Sequence, residues 1–168
     1  NETLECWEIA LKSHNTPSAI ALSRQKVPYI NPINSKENKC EKGAYVVNIT
    51  SHESNITLVA SGTEVELALK VQEKLKENNI HSKVVSMPCM ELFDRQPKDF
   101  CNDIIEENSL VVTLEAGSIM SWQKYVKNKG MNIGIDQFGE SAPYKEVYNH
   151  FGLSEEKIVG FIQKKLRE

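Results

Sequence analysis

Arg24 lies between Ser23 and Gln25, just past the short apolar run Ser18-Ala19-Ile20-Ala21-Leu22-Ser23, which suits a buried strand. A guanidinium at a strand end offers a planar fork of donors that can grip a phosphate or a carboxylate bidentately. The same residue would serve as well in a surface or interface ion pair, and chemistry alone leaves the two readings level. A second candidate is Ser61-Gly62-Thr63, which follows an apolar run and opens a helical pattern. Backbone N–H groups and the helix dipole at such a place can hold an anion. A tight turn with a capping residue accounts for the same residues more simply, and the second glycine and lysine of a phosphate loop are missing.

Three further positions are weaker. Cys89, after Pro88 at a helix start, gains some acidity from the helix but has no histidine near it in sequence, so a packed thiol is the better reading. Glu115-Ala116-Gly117 stands at the end of a strand, where α/β folds place ligands. Glu115 is read as a structural carboxylate ahead of an acid or base. Trp122 and Tyr125, three apart, read as core or interface. Cys6, Cys40, Cys89 and Cys101 form no Cys-x-x-Cys pair and stand apart from the four histidines, so metal spacing is absent and reduced thiols are expected.

The elements that must position these residues alternate. Thr3 to Ser13 carries a helical stripe, and Ser18–Ser23 a strand. Lys26 to Lys42 is polar, contains Pro28 and Pro32, and reads as a linker. Residues 1–25 are thus expected to be the last helix and strand of a preceding domain, 26–42 a linker and 43–168 a second domain. Without their own sheet, the first helix and strand should dock on another copy or be mobile. Beyond Gly43, strands are expected at 44–49, 55–60, 83–87, 110–114 and 132–135. Helices are expected at 63–78, 89–95, 98–105, 118–127, 144–150 and 154–167. Thr63 and Glu66 have capping-box spacing, and Glu66 and Lys70 form an i,i+4 pair. The alternation predicts an α/β fold: a three-layer α/β/α arrangement around a mostly parallel mixed sheet of about five strands. The first two strands of the second domain could pair as a hairpin.

Composition excludes several classes. Twenty Lys and Arg against 23 Asp and Glu leave a net charge of −3 over 168 residues, unlike the basic surface that binds nucleic acid. No apolar run approaches the roughly 20 residues that span a bilayer, and no signal peptide is recognisable, so a cytoplasmic location is expected.

Several blocks, in order, resemble one family. Ala21-Leu22-Ser23-Arg24-Gln25 is similar to the end of the pyrimidine-binding domain of transketolases. Gly43-Ala44-Tyr45-Val46, Ala60-Ser61-Gly62-Thr63-Glu64-Val65, Val84-Val85-Ser86-Met87-Pro88 and Phe93-Asp94-Arg95-Gln96 resemble successive parts of that family's C-terminal domain. Glu115-Ala116-Gly117, Trp122, Tyr125-Val126, the stretch Ile133 to Pro143 and Phe151-Gly152-Leu153 continue the match. Phe100 to Ile105 and the linker from Ser35 to Lys42 depart from the family pattern. The resemblance implies the C-terminal portion of a transferase that moves a two-carbon ketol unit between sugar phosphates in the pentose phosphate pathway. It further implies thiamine diphosphate and Mg²⁺ in the full enzyme, with the motifs that bind them lying in domains outside this sequence. The chain alone would then be inactive and bind neither. Its partners would be the N-terminal and pyrimidine-binding domains, sugar phosphates and a second copy in a homodimer, with no nucleic acid or membrane. No catalytic residue or metal ligand carries over; Arg24 matches the arginine that binds the substrate phosphate. Two other readings stand beside this one. The chain could be a stand-alone regulatory or assembly module binding an anion at Ser61-Gly62-Thr63, or a natural subunit of a split transketolase.

Overall fold

The computed structural model describes residues 1–30, 37–51, 53–126 and 130–168. Five strands, β1 (Tyr45–Ile49), β2 (Ile56–Ala60), β3 (Lys83–Ser86), β4 (Leu110–Leu114) and β5 (Met131–Ile133), form one sheet in the order β1-β3-β2-β4-β5. β1 runs antiparallel to β3, and every other pairing is parallel. All residues of β2, β3 and β4 are buried, as parallel strands covered on both faces must be.

Side chains alternate across the sheet. Ile56, Leu58, Ala60, Val112 and Leu114 face one core, closed by α2 (Glu64–Glu77) through Val65, Ala68, Val71 and Leu75 and by α6 (Glu155–Lys165) through Ile158 and Ile162. Val59, Val85 and Val111 face the other, with Phe93 of α3 (Met90–Phe93), Ile104 of α4 (Lys98–Ile104), Trp122 and Tyr125. Each fully buried side chain of this size contributes about 1.5–3 kcal/mol relative to exposure. The three-layer α/β/α arrangement expected from the alternation is therefore present. α5 (Tyr144–His150) precedes α6 at the chain's end.

Four local expectations change. β1 and β2 do not form a hairpin, because β3 lies between them. Every residue of β2 is buried and takes a parallel partner on each side, whereas β1 is partly exposed and takes the edge. Ser18–Ser23 is not a strand. It lacks a ladder partner, Leu22 is 62% exposed, and a strand without inter-strand bonds has nothing to hold it. The expected helix at 118–127 is a 3-10 helix at Met120–Tyr125, and Lys127 lies outside the described residues. Side chains three apart eclipse in that geometry, which sends both Trp122 and Tyr125 into the core. The capping box does not form. Thr63 has helical backbone angles and donates its hydroxyl to Glu64 at 2.7 Å, while Glu66 pairs with Lys70 at 2.6 Å.

The N-terminal helix α1 (Glu2–Lys12) rests on the Lys39–Lys42 turn of its own chain. Its Glu5 carboxylate accepts from the backbone N–H of Lys39 at 2.8 Å and of Cys40 at 3.2 Å. Tyr45 and Ser86 donate to the Glu2 carboxylate. The acceptor side of α1 thus faces the 3-10 turn at Lys39–Lys42, while Leu4, Trp7 and Leu11 are exposed on its outside. Part of the expected linker, residues 31–36, lies outside the described residues. Before it, Ile30 packs against the α2–α6 core.

Candidate functional site

The chain leaves β2 through α2 to β3 on one side, then crosses back through α3 and α4 to β4 on the other side of β2. The carboxyl ends of β2 and β4 therefore flank a topological switch point, where open α/β sheets bind ligands. Ser61-Gly62-Thr63 follows β2 there, and Glu115-Ala116-Gly117 follows β4.

Two carboxylates dominate this place. Glu64, 5% exposed, accepts from Thr63 Oγ1 at 2.7 Å and from the Tyr148 hydroxyl. Glu115 Oε2 accepts from Trp122 Nε1 at 2.9 Å. Burial pushes the Glu115 carboxyl above its ordinary value; the Trp122 bond works against that shift and the nearby Glu64 charge adds to it. Burial likewise pushes the Tyr148 hydroxyl upward, so it stays a donor at neutral pH. The carboxylates are satisfied by the protein's own donors. They fasten α2, α5 and the 3-10 helix to the end of the sheet.

A titration follows from this. Because the folded pKa of Glu115 is raised, the native state holds its proton more tightly than the unfolded chain. The resulting stability is complete below the unfolded carboxyl pKa and is lost as pH rises through the folded value. Glu115→Gln removes the charge and keeps an acceptor for Trp122. Urea unfolding across pH 3.5–7.5 should show wild type losing stability relative to Glu115→Gln as pH rises. Parallel curves would mean that Glu115 is not raised.

The turn Ser61-Gly62-Thr63 opens α2 as expected, but the Glu64 carboxylate folds back onto Thr63 and places negative charge at that helix start. Arg24 is exposed and makes no ion pair or hydrogen bond among the described residues. Its neighbours Gln25, Lys26 and Val27 line a cleft of about 310 Å³ together with Thr63, Tyr144 and Tyr148. The fold thus brings the segment next to Arg24 and the β2 turn to one cleft, although they are 39 positions apart from Arg24 to Thr63. Cys89 lies elsewhere, at the start of α3, where it donates to Glu91 at 3.5 Å and burial raises its thiol pKa. Trp122 and Tyr125 are core residues, 1% and 9% exposed. Sequence reasoning missed Glu64 and Tyr148. A carboxylate directly after a capping threonine was the available signal for the first, and Tyr148 left none, because 84 residues separate the two.

Among the described residues no three His, Cys, Asp or Glu side chains gather as a metal site. Among them, too, no helix is long and apolar enough to cross a membrane.

The profile of the family described as Transketolase-like TK C-terminal domain matches residues 43–154. Transketolase of Sinorhizobium medicae is 38% identical over 159 residues, covering 94% of this chain and 23% of the relative. Chloroplastic transketolase of Solanum tuberosum is 38% identical over 162 residues, covering 95% and 22%. The chain therefore spans about a quarter of the length of such relatives. Among solved structures, transketolase of Pichia stipitis in complex with sedoheptulose 7-phosphate superposes with a TM-score of 0.89 at 28% identity, over 99% of this chain and 24% of that one. A split-gene transketolase described as an inactive β4 tetramer shares the fold, with a TM-score of 0.64 at 23% identity over 86% of this chain and 48% of that one. By the family profile and by relatives matched along nearly its whole length, this chain belongs to the transketolase family, as the C-terminal portion of such an enzyme.

Proposed function

We propose that the chain works as part of a thiamine diphosphate- and Mg²⁺-dependent enzyme that transfers a two-carbon ketol unit between sugar phosphates in the pentose phosphate pathway. The observation that carries this is the match of nearly the whole chain to transketolases, one of them solved with a sugar phosphate. The cofactor and its metal belong to the remaining three quarters of the enzyme. When bound, thiamine diphosphate would supply the carbanion chemistry of the transfer. This chain's own contribution is narrower. Arg24 grips the substrate phosphate with its guanidinium fork, a doubly charged ligand meeting a rigid bidentate donor. The sheet and its helices form a scaffold that holds the neighbouring domains and supports a homodimer. An exposed guanidinium that is unpaired among the described residues is in keeping with that role, because its partner would be substrate.

The negative charge of Glu64 at the start of α2 weighs against the alternative, an anion held at Ser61-Gly62-Thr63. The test is ketol transfer from xylulose 5-phosphate to ribose 5-phosphate with thiamine diphosphate and Mg²⁺, by this chain alone and with the polypeptide encoded upstream. Activity is expected only where the upstream part is present. Turnover by this chain alone would overturn the assignment of the cofactor site to other domains.

A further inference from the structure

Cys6 and Cys40 come from segments 34 positions apart and meet where α1 sits on the Lys39–Lys42 turn. The Cys40 sulfur lies 3.9 Å from the carbonyl oxygen of Glu2, the residue one helical turn before Cys6, which sets it beside the turn of α1 that carries Cys6. Contacts on both sides of the pair keep them together. Glu5 Oε2 accepts from the Cys40 N–H, and Asn38 Nδ2 donates to the Glu5 carbonyl at 2.9 Å. Cys40 is fully buried, whereas Cys6 is half-buried on the helix. Cys89 donates to Glu91, and Cys101 to the carbonyls of Phe93 and Gln96, so neither is placed beside a second cysteine by these bonds.

We propose that Cys6 and Cys40 are an oxidant-sensitive pair, which a hydroperoxide converts into an intrachain disulfide tying α1 to the Lys39–Lys42 turn. The Cys6 thiolate attacks one oxygen of hydrogen peroxide. An S–O bond forms, the O–O bond breaks, and hydroxide leaves and is protonated to water. Cys40 then attacks the Cys6 sulfur of the sulfenic acid. The S–S bond forms, the S–O bond breaks, and a second water leaves with the Cys40 proton. Two thiols are oxidised by two electrons, and one peroxide is reduced to two waters. The roles follow from the surroundings. The hydrogen bond from Cys40 lowers the Cys6 pKa, while Cys40 is raised by that same bond and by burial. Cys6 therefore attacks first and Cys40 resolves. The bond closes a loop that contains Arg24 and adds a covalent restraint to the hydrogen bonds that join α1 to the turn. The inference does not depend on the transfer reaction proposed above.

The test treats the full polypeptide that carries this chain with hydrogen peroxide, alkylates it, digests it without reduction and maps the peptides by mass. A Cys6–Cys40 linked peptide, two hydrogens lighter than its parts, is expected, with the Cys89 and Cys101 peptides alkylated. Amide exchange across α1 should slow by at least roughly tenfold and recover on adding dithiothreitol. Cys6→Ser, at the half-buried position, should show neither link nor change; circular dichroism checks that it folds. Recovery of Cys6 and Cys40 both alkylated, or of Cys6 as sulfinic acid with no link, would overturn the proposal. A link without slower exchange would overturn the claim that it restrains α1.

Discussion

Arg24→Ala in the assembled enzyme should raise KM for a phosphorylated ketose by roughly 10- to 100-fold, the loss of about 1.5–3 kcal/mol from a charge-assisted hydrogen-bond pair. kcat should change far less, because the phosphate lies away from the reacting carbons and its contact is made in ground state and transition state alike. The same variant should leave KM for the unphosphorylated sugar nearly unchanged. Arg24→Lys should recover part of the affinity, since a point charge replaces a fork. Steady-state kinetics with paired phosphorylated and free sugars reads all three comparisons. Equal losses on both sugars would remove the phosphate role and leave Arg24 as a surface residue. Unfolding midpoints of Arg24→Ala should match wild type, because the side chain is exposed and unpaired among the described residues.

Gly43→Ala should be among the most damaging small substitutions in the chain. Gly43 has φ +81°, and a Cβ built there would lie 2.3 Å from the Phe93 nitrogen and 2.4 Å from the Cys89 carbonyl oxygen. Both are backbone atoms of α3 and its cap, so no side chain can swing aside. The Gly43 carbonyl accepts from Cys89 N–H at 3.2 Å, and its own N–H donates to the Cys40 carbonyl at 2.9 Å. One residue thus joins the Lys39–Lys42 turn, and through it α1, to the second core. The left-handed backbone alone costs about 1–2 kcal/mol with a Cβ, and relieving the clash should bring the total to roughly 3 kcal/mol or more. For a chain of this size that corresponds to about 6–12 °C in Tm. Gly62→Ala is the control. Gly62 also has positive φ, +55°, but a Cβ there meets nothing within 4 Å, so only the backbone cost applies. If thermal melts place the two variants together, close packing at Gly43 is not what that glycine provides.

The sequence was most informative where local chemistry and tertiary need agree. The continuous apolar runs of β2 and β4 and the helical stripe of α2 each have a period that admits one structure, and all three formed where expected. The order of short blocks along the chain was enough to indicate the family. Ser18–Ser23 shows the opposite case. Its residues favour a strand, yet strand formation needs a neighbour, and it pairs with none of the five strands. The hairpin expectation failed for a related reason. Nearness in sequence is only one contribution to pairing, and burying both faces of β2 required parallel neighbours on each side.

By itself, then, the sequence determined the layered α/β architecture and the family, because periodicity and motif order are written in the chain. The tertiary structure alone decided what meets across it. The Glu64–Tyr148 hydrogen bond, the cleft shared by Gln25 and Thr63, the seating of α1 on the Lys39–Lys42 turn and the approach of the Cys40 sulfur to the α1 turn that carries Cys6 all join residues more than 30 positions apart. Such contacts follow from the crossovers that order the sheet and from which surfaces are left to bury, and no local pattern encodes them.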